Sequence, residues 1–170
     1  VQFFKGLFCI LFYTVCNRNE TCKFPIIRNG NDCVNYFSRI DIITDIKFVS
    51  DLAHKVGATV VVDNVMASIV LQKPIELGAD VVMYSTTKHI DGQGRVLGGA
   101  ILGSKEYQQD YLSQFVRHTG PNLSAFNAWV LVKSLETLSM RVNRMNESAQ
   151  AVAEFLSTHP KVATVNYPGL

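Results

Sequence analysis

From Thr44 onward the chain alternates between two hydrophobic rhythms. Ile46, Val49, Leu52, Ala53 and Val56 recur at the spacing of one helical face, with Thr44 or Asp45 placed to cap the start and Gly57 just past the end. The spacing predicts an amphipathic helix. Thr59 to Val62 is then a continuous β-branched run, the pattern of a parallel strand covered on both faces, and it terminates at Asp63-Asn64. A second unit repeats the order: Pro74 opens a short helix, Gly78 closes it, and Val81 to Tyr84 forms another apolar strand. Helix, strand, helix, strand with short connections implies right-handed crossovers and a parallel sheet. Parallel strands share their carboxyl end, so Asp63 and the turn from Ser85 to Lys88 are expected on one edge, where ligands sit in open α/β sheets.

Beyond that edge, Gly99 to Gly103 reads as a third strand, and Ser104 can cap a helix running through His118. Thr119-Gly120-Pro121-Asn122 breaks it, and Ser124 starts another with Leu131, Leu135, Leu138 and Val142 on one face. The same stripe continues through Met145, Ala149, Val152 and Leu156 until His159-Pro160, and Val162 to Tyr167 is expected as a strand. Upstream, Leu7 to Tyr13 is an apolar run read as a buried strand; it is far shorter than the roughly 20 residues a membrane helix requires. From Asn17 to Arg39 the periodicity fails among scattered asparagines, Gly30 and Pro25, and the stretch is expected to be irregular.

Composition narrows the classes. The 170 residues are 48% hydrophobic and 18% charged, which suits a globular domain with a sizeable core. A net charge of +2 without a clustered basic patch argues against nucleic acid as a partner. Cys9, Cys16, Cys22 and Cys33 all fall in the first 33 residues, without the paired short spacings of a zinc site. The cysteine-free remainder reads as intracellular, and the chain divides into an atypical segment 1–42 and an α/β core over 43–166.

The chemistry concentrates between Asp80 and Gly99. A lysine at the carboxyl end of an apolar strand needs a reason, because desolvating an ammonium costs several kcal/mol unless it is paired or loses its proton. Lys88 could snorkel to solvent, pair with a phosphate, or form a Schiff base. The glycines Gly92 and Gly94 do not make a dinucleotide loop, since they come after a lysine turn and lead toward a strand, where the dinucleotide fingerprint comes after a strand and opens a helix.

Asp80-Val81-x-x-x-Ser85-Thr86-Thr87-Lys88, continued by Ile90-x-Gly92-Gln93-Gly94, resembles the pyridoxal-phosphate attachment motif of the Cys/Met-metabolism family, the trans-sulfuration enzymes. Val60 to Ser68 resembles that family's strand carrying the cofactor-binding aspartate, and the two motifs stand in the family's order and separation. Lys88 to Gly99 and Arg117-His118-Thr119-Gly120-Pro121 look most like the O-succinylhomoserine sulfhydrylase branch. The resemblance covers roughly Ile43 to Leu170. It departs from the family at His89, where an aromatic residue is usual, and at Phe37 to Asp41, which lack the expected Ser/Thr-Asn-Pro element.

The resemblance implies the large domain of a fold-type I enzyme, α/β with a mostly parallel sheet and helices on both faces, with 167–170 leading toward a further domain. It implies pyridoxal 5'-phosphate as cofactor, Lys88 as its attachment point and as a base whose pKa burial would lower, and Asp63 as partner of the pyridinium nitrogen. Ser85 and Thr87 would donate to the phosphate, and the glycines 92, 94, 98 and 99 would let the chain return past the cofactor. The expected reaction is γ-replacement on O-succinylhomoserine by sulfide or a thiol. The alternatives are cystathionine synthesis or γ-elimination, and a non-catalytic remnant. The implied partners are a small amino-acid substrate, no nucleic acid and no membrane, with a cytoplasmic homotetramer built from dimers for full-length relatives.

Overall fold

The computed structural model describes residues 43–170, together with the backbone of two earlier strands, Phe8–Tyr13 and Val34–Ser38. After these strands, β1 and β2, come α1 (Ile46–His54), β3 (Thr59–Asp63), a short α2 (Ser68–Leu71) and a 3₁₀ turn (Pro74–Leu77). Next are β4 (Val81–Ser85), a π turn (Thr86–Ile90) and β5 (Gly99–Gly103). Helices α3 (Lys105–Tyr107) and α4 (Ser113–Thr119) are joined by a second π turn, and α5 (Ala125–Leu135) and α6 (Leu138–Ser157) complete the chain.

The sheet runs β2-β1-β3-β4-β5. Its first four strands are parallel, and β5 returns antiparallel to β4 with Ser85 opposite Gly99 and Val81 opposite Gly103. Val60 and Val62 are fully buried on the face where Ile46 and Ala53 of α1 pack, beside Val82 and Tyr84 of β4. Val61 and Val81, pointing the other way in the pleat, are buried as well. A strand buried on both faces is what its uninterrupted β-branched sequence requires.

Local chemistry sets the boundaries. Asp45 is the cap of α1, its carboxylate accepting the Phe48 N–H at 2.9 Å, while the neighbouring Thr44 hydroxyl is buried without a partner among the described residues. Pro74 and Gly78 bracket the 3₁₀ turn, and Gly78 takes a left-handed φ of 99° with little room for a Cβ, which would come 3.1 Å from Ser50 Cβ. Ser104 and Ser124 cap α3 and α5 through their hydroxyls.

Three expectations are revised. The apolar stripe from Leu131 to Leu156 is two helices, because the chain bends at Glu136-Thr137. Val162 to Tyr167 is not a strand; among the described residues nothing pairs with it. Val34–Ser38, inside the stretch expected to be irregular, is a strand held by parallel pairing with β1. The third strand expected at Gly99–Gly103 is present and antiparallel, and the sheet is mostly parallel as expected. Segment 17–33 and the side chains of all four cysteines lie outside the described residues. No described helix is long and apolar enough to cross a membrane.

Truncating Val62 to alanine should lower unfolding free energy by about 2 kcal/mol, from lost burial plus the cavity it leaves. Val132→Ala, on the exposed side of α5, should stay within about 0.5 kcal/mol of the parent. Urea titrations followed by circular dichroism compare the two directly.

Candidate active site

The carboxyl edge of β3 and β4 is built from the residues that stop each strand. Asp63 is the last residue of β3, opposite Met83 in the parallel register. Its Oδ1 accepts the Val65 N–H at 3.1 Å, turning the chain away from the sheet. The next residue, Asn64, is fully buried and ties down the segment from Ser68 to Gln72: Nδ2 donates to Ser68 O at 2.8 Å and Gln72 O at 2.9 Å, with the Tyr84 hydroxyl 3.0 Å away. Gln72 Nε2 returns a bond to Asn64 Oδ1 at 2.8 Å. This knot holds Ser68 in a left-handed φ of 59°, unusual for a residue with a side chain, a short way along the chain from Asp63.

On β4 the strand ends at Ser85 and opens into the π turn that carries Lys88. The Asp91 N–H reaches back to Thr86 O at 2.8 Å, a wide turn interrupted at Lys88, whose φ of −84° and ψ of −116° are not helical. The loop closes where Thr86 N–H donates to Gly98 O at 2.9 Å and Thr87 Oγ1 accepts the Gly98 N–H at 3.1 Å. A Cβ on Gly98 would come 2.8 Å from Thr86 Oγ1, so the closure needs glycine.

The rest of the turn is anchored by an ion pair whose carboxylate is buried and whose guanidinium is half exposed. Asp91 is only 1% exposed, and its carboxylate accepts Arg95 N–H at 2.5 Å and Arg95 Nε at 3.0 Å. Arg95 Nη2 continues to Ser134 Oγ at 2.7 Å, linking the loop to α5. Burial would raise the Asp91 carboxyl, but the hydrogen bonds from Arg95, backbone and side chain, together with its charge, outweigh it and hold the pKa below the ordinary carboxylate value.

Asp63, Ser85 and Lys88 thus share one edge, as their positions in the sequence imply. The side chains of Ser85 and Lys88 have no hydrogen-bond or ion-pair partner among the described residues, which leaves a hydroxyl and an amine available there. Two details differ from expectation. Lys88 is exposed and not buried, because the turn runs out from the sheet edge and no described residue covers it. Thr87 spends its hydroxyl on closing the loop against Gly98. Sequence reasoning did not single out Asn64, Asp91, Arg95, Ser134 or Arg141. The four-residue step from Asp91 to Arg95 is a visible signal, but Ser134 on α5, which receives Arg95, and Arg141 on α6, which holds His89 O, lie far along the chain.

An amine to attach an aldehyde, a carboxylate to face a ring nitrogen and a free hydroxyl at a loop fit pyridoxal phosphate by the chemistry of their donors. The fold is that of the α/β large domain of fold-type I pyridoxal-phosphate-dependent enzymes. The chain belongs to the Cys/Met metabolism PLP-dependent enzyme family, whose sequence model matches residues 39–170. It is 60% identical over 128 residues to the O-succinylhomoserine sulfhydrylase of Mycobacterium tuberculosis (strain H37Rv), covering 75% of this chain and 32% of that protein. It is 42% identical over 130 residues to the L-methionine gamma-lyase of Porphyromonas gingivalis, covering 75% of this chain and 33% of that protein. The chain therefore spans about a third of the length of these curated relatives. Among solved structures, apo CalE6, a methionine gamma lyase from Micromonospora echinospora, superposes with a TM-score of 0.73 at 42% identity, over 76% of this chain and 35% of that one. The crystal structure of metB from Corynebacterium glutamicum matches 97% of this chain and 49% of that one, with a TM-score of 0.76 at 28% identity.

Because the Asp91 pKa is lowered by folding, its contribution to stability is present above the unfolded value of about 4 and is lost as pH falls through the folded value. Asp91→Asn should therefore lower the urea midpoint near pH 7. The gap between parent and variant should narrow as the pH drops below about 4. A gap that stays constant from pH 7 to pH 3 contradicts the ion-pair account.

Proposed function

We propose that this chain supplies the cofactor-attachment edge of a trans-sulfuration enzyme that carries out γ-replacement on O-succinylhomoserine, releasing succinate and adding sulfide or a thiol to give homocysteine or a relative. The observation carrying the reading is the free Lys88 amine and Ser85 hydroxyl beside the Asp63 carboxylate on one sheet edge. The choice of substrate is supported by the higher identity to the sulfhydrylase of M. tuberculosis, 60% against 44% for the cystathionine gamma-synthase of Mycobacterium leprae.

In this reading Lys88 Nζ would hold the cofactor and would move protons at Cα and Cβ of the substrate. Asp63 would accept the ring N–H and would keep that nitrogen protonated. Ser85 Oγ would donate to the phosphate, and Thr87 could join it by redirecting the proton it gives Gly98 O while still accepting the Gly98 N–H. The bound cofactor supplies an electron sink for the carbanions that proton removal creates. Cystathionine synthesis or γ-elimination is the second reading, favoured by a gamma-lyase and a cystathionine gamma-synthase at 42% and 44% identity. A non-catalytic role for this chain is supported by the exposure of Lys88. Assembly as a homotetramer of dimers in the cytoplasm belongs to the same proposal, and Phe126, Trp129 and Val132, exposed along α5, are apolar surface of the kind subunits cover.

Adding pyridoxal phosphate to the purified chain should give a yellow band that Lys88→Ala abolishes. Asp63→Asn should weaken cofactor affinity about tenfold, the size of one charge-assisted hydrogen bond. Absence of any Lys88-dependent band rules out cofactor attachment by this chain. Turnover of O-succinylhomoserine with sulfide selects the first reading. A Lys88-dependent band without turnover selects the non-catalytic one.

A further inference from the structure

Lys88 is fixed neither by its own side chain, which has no partner among the described residues, nor by regular helical backbone. On its amino side the chain is held by the sheet, through the pairing of Ser85 with Gly99 and the Thr86 N–H to Gly98 O bond. On its carboxyl side the carbonyls of His89 and Ile90 are taken by one side chain from a distant helix. Arg141 of α6 donates from Nη1 to His89 O at 2.7 Å and from Nη2 to Ile90 O at 3.0 Å. The same guanidinium donates to Ser134 O at 3.0 Å and, through Nε, to Thr137 Oγ1 at 3.1 Å.

We propose that Arg141 is a positioning residue for Lys88: its guanidinium fork fixes the turn immediately after the lysine and so sets the direction in which the amine leaves the sheet edge. The inference rests on the reading of Lys88 as the cofactor's attachment point. A planar fork can hold two successive carbonyls at a fixed separation and angle, whereas an ammonium offers a point charge. The guanidinium also lies at the last turn of α5, where Ser134 O belongs to the negative end of the helix dipole; Arg141 needs no carboxylate there and makes no ion pair among the described residues.

Gly92 is an independent sign that the turn is built around this guanidinium. Its φ is 75°, and a Cβ placed on it would run into Arg141 Nη1 and come 2.8 Å from Cζ. Ser134 joins the two anchors: its carbonyl receives Arg141, and its hydroxyl receives Arg95, the partner of Asp91. The corner between α5 and α6 therefore grips the segment just past Lys88 at His89-Ile90 and at Asp91.

The test compares Arg141→Gln, Arg141→Lys and Thr137→Ala in the 170-residue chain. Without cofactor, hydrogen exchange at the Asp91 and Gly92 amides should speed up about tenfold in Arg141→Gln, the loss of charge-assisted bonds to the turn, while the amides of Val60, Val62 and Val82 keep their rates. Thr137→Ala, which removes the Nε contact and the hydroxyl's own bond to Ser134 O but neither bond to the His89 and Ile90 carbonyls, should leave the turn unchanged. With pyridoxal phosphate, Arg141→Gln should form the Lys88-dependent band about tenfold more slowly and with a shifted pH midpoint. If Arg141→Gln does not fold, Arg141→Lys, which keeps charge and stem, should fold and show the same local loosening. Unchanged exchange at Asp91 and Gly92, or acceleration spread equally over β3 and β4, overturns the proposal. So does a band whose rate and pH midpoint match the parent's. A parent chain that forms no band defeats the cofactor reading, and the exchange comparison still decides whether Arg141 holds the turn.

Discussion

The parallel pairing of β3 with β4 is the constraint on which the site depends. With Val61 opposite Val81 and Asp63 opposite Met83, both strands run out at the same edge, and whatever ends them is brought together. β3 ends in a carboxylate, and β4 ends in a hydroxyl with the lysine turn directly after it. The burial of Val60 and Val62 against α1 resists a one-residue slip, which would turn every side chain of the strand to the opposite face. The hydrophobic core thus sets the register, and the register sets which polar groups meet.

That edge holds two kinds of polar group. Asn64, Asp91, Arg95 and Ser134 are engaged with one another or with backbone, and they shape the loops. The Ser85 hydroxyl and the Lys88 amine are left without partners among the described residues, beside an Asp63 carboxylate that makes a single turn contact. Engaged groups hold the turns rigid, and unengaged ones remain for chemistry. Lys88 as an exposed amine avoids the cost of a buried ammonium, which was the difficulty its place at the end of an apolar strand raised. Attachment to a cofactor would change its surroundings without requiring the strand to move.

Much of this was legible in the sequence, and the parts that were not have physical reasons. The first helix, β3 and β4 announce themselves through apolar period, capping residues and glycine stops, all of which are local. Asp63, Ser85, Thr87 and Lys88 could be placed because they terminate those strands. The direction of β5 was not legible, since alternation does not encode direction; the return loop from Thr86 to Gly98 holds only a π turn, and parallel strands ordinarily need a crossover helix. β2 was missed because its pairing with β1, and not its own pattern, makes it a strand. Val162 to Tyr167 erred the opposite way, with a suitable pattern and no described neighbour to pair with. Arg141 meets His89 across 52 residues, and no local spacing signals such a contact.

The central claim is that the strand-end turn makes Lys88 unlike the other lysines of this chain. Reducing the mixture of chain and pyridoxal phosphate with borohydride and mapping the peptides by mass spectrometry tests it directly. The account predicts a pyridoxyl mass on the peptide containing Lys88 at stoichiometric cofactor, with Lys47, Lys73, Lys105 and Lys133 unlabelled. Label distributed over those exposed lysines in proportion to their accessibility, with no preference for Lys88, would contradict it.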